Sequence, residues 1–78
     1  MKVGQLKIGK MYKSRIHHMV YDSPFIWESQ FICDIDRSDA FVVLDITFEG
    51  KRLKVLTSSG VVGYLMVAIN EYFEQITQ

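Results

Sequence analysis

Lys51-Arg-Leu-Lys-Val-Leu-Thr-Ser-Ser-Gly-Val-Val-Gly-Tyr-Leu65, followed by Asn70-Glu-Tyr-Phe-Glu-Gln-Ile76, decides the fold. Arg52 to Thr57 places Leu53 and Val55 on one face, Ser58-Ser-Gly60 turns the chain, and Val61 to Met66 runs back. Period-two alternation on both sides of a Ser/Gly turn is the pattern of an antiparallel hairpin. Just upstream, Ala40-Phe-Val-Val-Leu-Asp-Ile-Thr-Phe48 is the strongest strand in the chain. Strict alternation there puts Val42, Leu44, Ile46 and Phe48 on one face and Phe41, Val43, Asp45 and Thr47 on the other. Glu49-Gly50-Lys51 turns between this strand and the hairpin, so the three strands form a meander.

Working toward the N-terminus, Asp36-Arg-Ser-Asp39 is a turn, because Asp and Ser side chains compete for local backbone hydrogen bonds. Phe31-Ile-Cys-Asp-Ile35 is a short strand with Phe31, Cys33 and Ile35 on one side. His17 to Gln30, containing Asp22-Ser23-Pro24, reads as a long loop or an irregular hairpin, and Leu6 to Ile16 as a first strand with Gly9 as a bulge or close-approach point within it. At the other end, Leu65, Ile69, Tyr72 or Phe73, and Ile76 fall at helical spacing. Asn70 and the β-branched Val67 and Ile69 favour instead a short helical turn followed by a strand.

The 78 residues make one domain, 1–78, with room for one core. A domain of this size buries only about 60% of the surface its unfolded chain exposes, so stability is modest and association with a second copy through sheet edges is a standing alternative. Nine basic and nine acidic side chains cancel, so no global field draws the chain to nucleic acid or a membrane. The single Cys33 allows no internal disulfide, which fits a reducing compartment. Neither a signal-peptide-like apolar run near Met1 nor a membrane-length apolar stretch occurs, so the expected setting is cytoplasmic.

Charge is nevertheless segregated. Residues 1–18 carry Lys2, Lys7, Lys10, Lys13 and Arg15 and no acid, whereas 19–49 carry Asp22, Glu28, Asp34, Asp36, Asp39, Asp45 and Glu49 against Arg37. Lys51, Arg52 and Lys54 restore positive charge. Basic and acidic strands pairing across the sheet explain this pattern, and so does a bipolar surface that steers a charged partner.

Gly60-Val-Val-Gly63-Tyr-Leu with Asn70-Glu-Tyr72-Phe-Glu-Gln-Ile76 resembles the end of an SH3-like barrel, where a hairpin runs into a Gly-aromatic strand, a single 3₁₀ turn and a last strand. The resemblance covers roughly Leu6 to Ile16 and Ala40 to Ile76. It implies an all-β, partly open barrel of about five strands, with 17–39 as the long loop after the first strand. Small chains of this style also resemble the SH3-like proteins of tailed bacteriophages, which implies a host cytoplasm. Signalling SH3 domains grip polyproline between stacked aromatics. Here Lys51 and Arg52 stand where the groove tryptophan belongs, and no proline lies between Gly63 and Tyr72. Of that groove only Tyr72 carries across, so a standard polyproline site is not expected.

The candidate recognition surface is then Tyr21, Trp27 and Tyr72 with polar neighbours Asp22 and Glu28, and with Tyr12 and Tyr64 as weaker candidates. Trp and Tyr anchor interfaces, and long loops on small scaffolds carry binding sites. The competing reading folds Phe25, Ile26 and Trp27 back as a plug for one end of the barrel. The nucleic-acid alternative uses Lys51, Arg52 and Lys54, which merge with Lys7, Lys10, Lys13 and Arg15 into one stripe if the first strand lies beside the Arg52–Thr57 strand.

Catalytic and metal chemistry find little purchase. Asp34-x-Asp36-x-Ser38 with Asp45 mimics a calcium loop in spacing, but Asp39 replaces the turn glycine and the terminal Glu is missing. His17 and His18 point to opposite faces if they lie on a strand, so both read as surface histidines and not as metal ligands. Cys33 on an apolar face reads as a small core hydrophobe, and no glycine-rich phosphate loop or cofactor motif occurs. The expected function is a non-catalytic binding or assembly module acting through protein contacts, with nucleic-acid binding as the alternative.

Overall fold

The computed structural model describes residues 6–47, 51–66 and 72–76. Its strands are β1 (Met11–Ser14), β2 (His18–Tyr21), β3 (Phe31–Ile35), β4 (Ala40–Thr47), β5 (Arg52–Thr57), β6 (Val62–Leu65) and β7 (Phe73–Gln75), with one short 3₁₀ turn at Ile26–Glu28. All pair antiparallel in one seven-stranded sheet of order β3-β2-β6-β5-β4-β1-β7. No described helix is long and apolar enough to cross a membrane.

The protein is all-β as the alternation requires, and the β4-β5-β6 meander is present. The expected five-stranded barrel is corrected on two counts: the described residues form seven strands, and their sheet does not close. Both additional strands come from 17–39, which the resemblance implies to be one long loop: Phe31–Ile35, read as a short strand from the residues, is β3, and it pairs with β2 from the segment read as a long loop or irregular hairpin. The hairpin's sequence signal is faint because β2 has only four residues and the pairing is irregular, with Ile32 left unpaired between the Val20–Cys33 and Tyr21–Phe31 partners. At the hairpin end the Asp22 N–H donates to the Gln30 carbonyl and the Gln30 N–H returns to Asp22 Oδ1 at 2.8 Å.

Two strands also differ from strict alternation. The first is cut to four residues because Lys7–Lys10 turns: Gly9 takes φ +85° and donates its N–H to the Val43 carbonyl at 2.7 Å. Gly9 therefore supplies a left-handed turn, not a bulge inside a strand. In β4, Val43 pairs with Val55 but Asp45 pairs with Lys54, so Leu44 is an extra residue that shifts the face parity. Upstream of it Phe41 and Val43 face the core; downstream Ile46 does, opposite Leu53. The bulge therefore turns Leu44 out and matches Asp45 with Lys54 in register.

Leu6, Tyr12, Val20, Ile35, Phe41, Val43, Leu53, Val55, Leu65 and Phe73 form the core, with Cys33, Ile46 and Tyr72 packed against it. Leu53 and Val55 are inward as the alternation of β5 requires. His18 on β2 stacks on Phe73 of β7 at 5.2 Å, although β2 and β7 are second and last in the strand order. In a flat sheet they would be roughly 24 Å apart at the usual strand spacing. The sheet must therefore curl until its inner faces meet, wrapping one core without completing a barrel.

The expected helical turn before the last strand falls largely on 67–71, outside the described residues. A helix running through Ile76 is excluded by β7, whose Phe73, Glu74 and Gln75 pair with Ser14, Lys13 and Tyr12 of β1.

Candidate functional site

Where the curled sheet brings β1, β2 and β7 together, Ser14, His18 and Tyr72 form a buried polar cluster. Ser14 Oγ accepts the Ile16 N–H and donates to the Tyr72 carbonyl, both at 3.2 Å, and lies 2.7 Å from His18 Nε2. A hydroxyl has one proton and two lone pairs. With that proton on Tyr72 O, the remaining lone pair takes the His18 Nε2 proton, which satisfies Ser14 completely and fixes the Nε2–H tautomer of a neutral imidazole. The pair has the outline of a nucleophile and its base. Ser14, however, is only 2% exposed and its proton is committed to a backbone carbonyl, so the geometry suits a structural clasp.

His18 thus corrects the expectation of two surface histidines. His17 is the exposed one, with Nε2 3.0 Å from Asp34 Oδ1, while His18 is 7% exposed between Ser14, Tyr72 and Phe73. Burial first, and the neighbouring His17 charge second, hold the His18 pKa below its usual 6.5. The unfolded chain therefore takes up this proton at a higher pH than the folded chain does. Stability is fully present above pH 6.5 and declines as the pH falls from there through the folded-state pKa. Thermal melts along that range should show the wild-type midpoint dropping on acidification and His18→Gln, which keeps an N–H for Ser14, dropping less. Equal drops in both proteins would assign the pH response to other groups.

Beside the clasp, Ile16, His17, His18, Met19, Tyr21, Met66 and Tyr72 line an open groove of about 490 Å³. Two of the expected recognition residues, Tyr21 and Tyr72, are brought together here from opposite ends of the chain. Met19, half exposed, receives the Tyr21 hydroxyl at its sulfur at 3.7 Å. The sequence signal for Met19 and Tyr21 is their alternation with the inward His18 and Val20; Ile16 and Met66 carry no such signal.

The other expected recognition residues lie at the hairpin end. Trp27 is 82% exposed with its ring 5.2 Å from Phe25, so the plug reading is overturned. Three residues in a 3₁₀ turn present Ile26 and Trp27 outward, and none of the turn is buried. Asp22 and Glu28 are spent on the turn itself, Asp22 on Gln30 and Glu28 Oε1 on the Ser23 hydroxyl at 3.3 Å. Tyr12 is removed from the candidates: it is 3% exposed and its hydroxyl accepts the Lys7 N–H. Tyr64 is half-buried on the outer face of β6, in register with Tyr21 on one side and Lys54 on the other.

The single basic stripe of the nucleic-acid alternative does not assemble. β4 lies between β1 and β5, which separates Lys13 from Lys54. Arg52 is engaged inside the protein: its Nε donates to the Pro24 carbonyl and its Nη1 to the Lys51 and Met66 carbonyls, all at 3.2 Å. It ties the hairpin end to the end of β6. Among the described residues no group of three His, Cys, Asp or Glu is placed to hold a metal ion. Asp34 lies on β3 with Oδ1 3.0 Å from His17 Nε2, and Asp39 Oδ2 accepts the Asp36 N–H, so both carboxylates of the calcium-like spacing are engaged within the fold. Cys33 is a free, half-buried thiol against the core.

No protein-family model matches the chain, and neither a curated protein nor a solved structure does.

Proposed function

We propose that this chain is a non-catalytic binding module on an SH3-like scaffold, holding an apolar segment of a protein partner in the groove between Tyr21 and Tyr72. One observation carries this: residues 16–19, Tyr21, Met66 and Tyr72, remote in sequence, converge on one concave, largely apolar surface. Tyrosines contribute rigid contact area at low entropic cost, and two methionines supply flexible side chains that adapt to a ligand. The scaffold likeness draws on β1 lying between β4 and β7, on the β4-β5-β6 meander, and on Tyr72 directly preceding β7. Leaving out the β2–β3 hairpin, five strands remain, the number the resemblance implies. In that resemblance Tyr72 is the last aromatic of the peptide groove, and it lines a groove here.

The test uses peptides selected from a displayed random library against the wild-type domain. Met19→Asp, at a half-exposed groove position, should weaken their binding by about tenfold or more without lowering the melting temperature. Trp27→Ala should leave binding unchanged. The reverse pattern would move the recognition surface to the hairpin end.

The nucleic-acid alternative has one observation in its favour. Phe31, Tyr21, Tyr64 and Lys54 are register neighbours across β3, β2, β6 and β5, a row of aromatics ending in a cation on the outer face. The neutral chain and the engaged Arg52 weigh against it.

A further inference from the structure

Lys13, Arg15 and Arg37 converge on a second cleft, of about 350 Å³, completed by Ser14, Ser38 and Glu74. Lys13 and Arg15 flank the inward-facing Ser14, and Arg37 arrives from the turn between β3 and β4. That turn is fastened in place. Ser38, at φ 73°, donates its N–H to the Ser14 carbonyl at 3.1 Å, and the Asp36 and Asp39 backbones close the turn around Arg37. Asp39, in the same turn, has Oδ2 on the Asp36 N–H and makes no ion pair with Arg37.

Among the described residues, no carboxylate lies within ion-pair distance of Lys13, Arg15 or Arg37. Glu74 is the one acid lining the cleft, so the walls carry three positive charges against one negative in a chain whose net charge is zero. Glu74 faces Lys13 across β1 and β7 and offsets one of these charges, which leaves Arg15 and Arg37 to repel each other with no further acid in the lining. A bound anion removes the repulsion. Two guanidinium groups offer forked donors suited to phosphate oxygens, Lys13 adds a point charge, and the Ser38 hydroxyl lies at the rim.

We infer that this cleft binds a single phosphate monoester dianion. The alternative, a run of phosphodiesters, needs a continuing cationic track. Here β4 separates the cleft from Lys54, and Arg52 is tied to carbonyls. Three cations around one concavity match one doubly charged group better than a strand of singly charged ones. This site is distinct from the apolar groove and does not rest on that groove's role.

The probe is inorganic phosphate, titrated into isotope-labelled protein above pH 7 at constant ionic strength against chloride, with backbone amide shifts as the readout. Saturable shifts confined to Lys13–Arg15 and Arg37–Ser38 are expected. Arg37→Ala, at an exposed turn position, should weaken the binding by about tenfold, while Lys51→Ala leaves it unchanged. Arg15→Ala serves as a second variant should Arg37→Ala alter the turn. Linear shifts, shifts matched by chloride, or an unchanged affinity in both arginine variants would overturn the site. A single-stranded oligonucleotide without terminal phosphate should not displace phosphate. Displacement with shifts spreading to Lys51–Lys54 would overturn the monoester assignment in favour of nucleic acid.

Discussion

Gly63→Val is expected to remove a large part of the domain's stability. Gly63 is buried on β6, opposite Val55 on β5, where β2 pairs with the other edge of β6. A Cβ there would fall on Val20 Cγ1, 2.9 Å from the Tyr21 carbonyl oxygen and 3.3 Å from Ile32 Cδ1. Val20 is fully buried and the carbonyl is backbone, so neither can yield without lifting β2 from β6. Overpacking a fixed core costs about 1–3 kcal/mol, and loss of the hairpin pairing adds to it. A domain of this length has roughly 4–12 kcal/mol in total. Gly60→Ala is the control. Gly60 has φ +87° with open space around it, so the cost should be only the left-handed backbone penalty of about 1–2 kcal/mol. Denaturant unfolding of the two variants checks the contrast. Equal, small effects would mean that the hairpin does not sit against β6 as described.

Phe41→Ala should be nearly as damaging, for the opposite reason. Phe41 is 1% exposed and joins Tyr12, at 6.4 Å, to Phe73, edge-on at 5.7 Å. It therefore connects β4 to the two strands beyond it, and Phe73 in turn carries the stacked His18 of β2. Truncating a buried phenylalanine typically costs about 3–5 kcal/mol. Because the ring supports Phe73, which meets His18 where the sheet curls onto itself, β7 should also lose protection in amide hydrogen exchange more than β5 does. A loss below about 1 kcal/mol would contradict a core centred on these rings.

The meander was legible because Leu53, Val55, Ser58, Ser59 and Gly60 state both the alternation and the turn. The Leu44 bulge was not, since an apolar residue looks the same whether it faces in or out, and only the pairing of Asp45 with Lys54 reveals the change of face. The β2–β3 hairpin was half hidden. Met19 and Tyr21 are apolar enough to blur the alternation of His18 and Val20, and the turn sequence suggested a loop. The buried His18 was missed because its partner, Ser14, comes into range only when the sheet curls. Tyr21 and Tyr72 stand out in the sequence as aromatic residues in candidate segments, and the fold places them on one groove. Trp27, an aromatic residue of the same kind, lies at the exposed hairpin end, and the charge of Arg52 does not reveal that three carbonyls hold it.

Burial of His18 under Tyr72 also ties the groove to the core. The groove floor is shared with the clasp of Ser14, His18 and Tyr72, so its shape is set by packing between β1, β2 and β7. A binding surface built on such a base is preorganised, which lowers the ordering cost of taking up a ligand.

Recognition in this groove is tested by amide shift mapping of a library-selected peptide on the labelled wild-type domain. Saturable shifts are expected at Ile16–Tyr21, Met66 and Tyr72, with Phe25–Glu28 and Lys51–Lys54 unmoved. Shifts centred on Phe25–Glu28 or on the Lys51–Lys54 segment, or a library that yields no binding peptide, would contradict it.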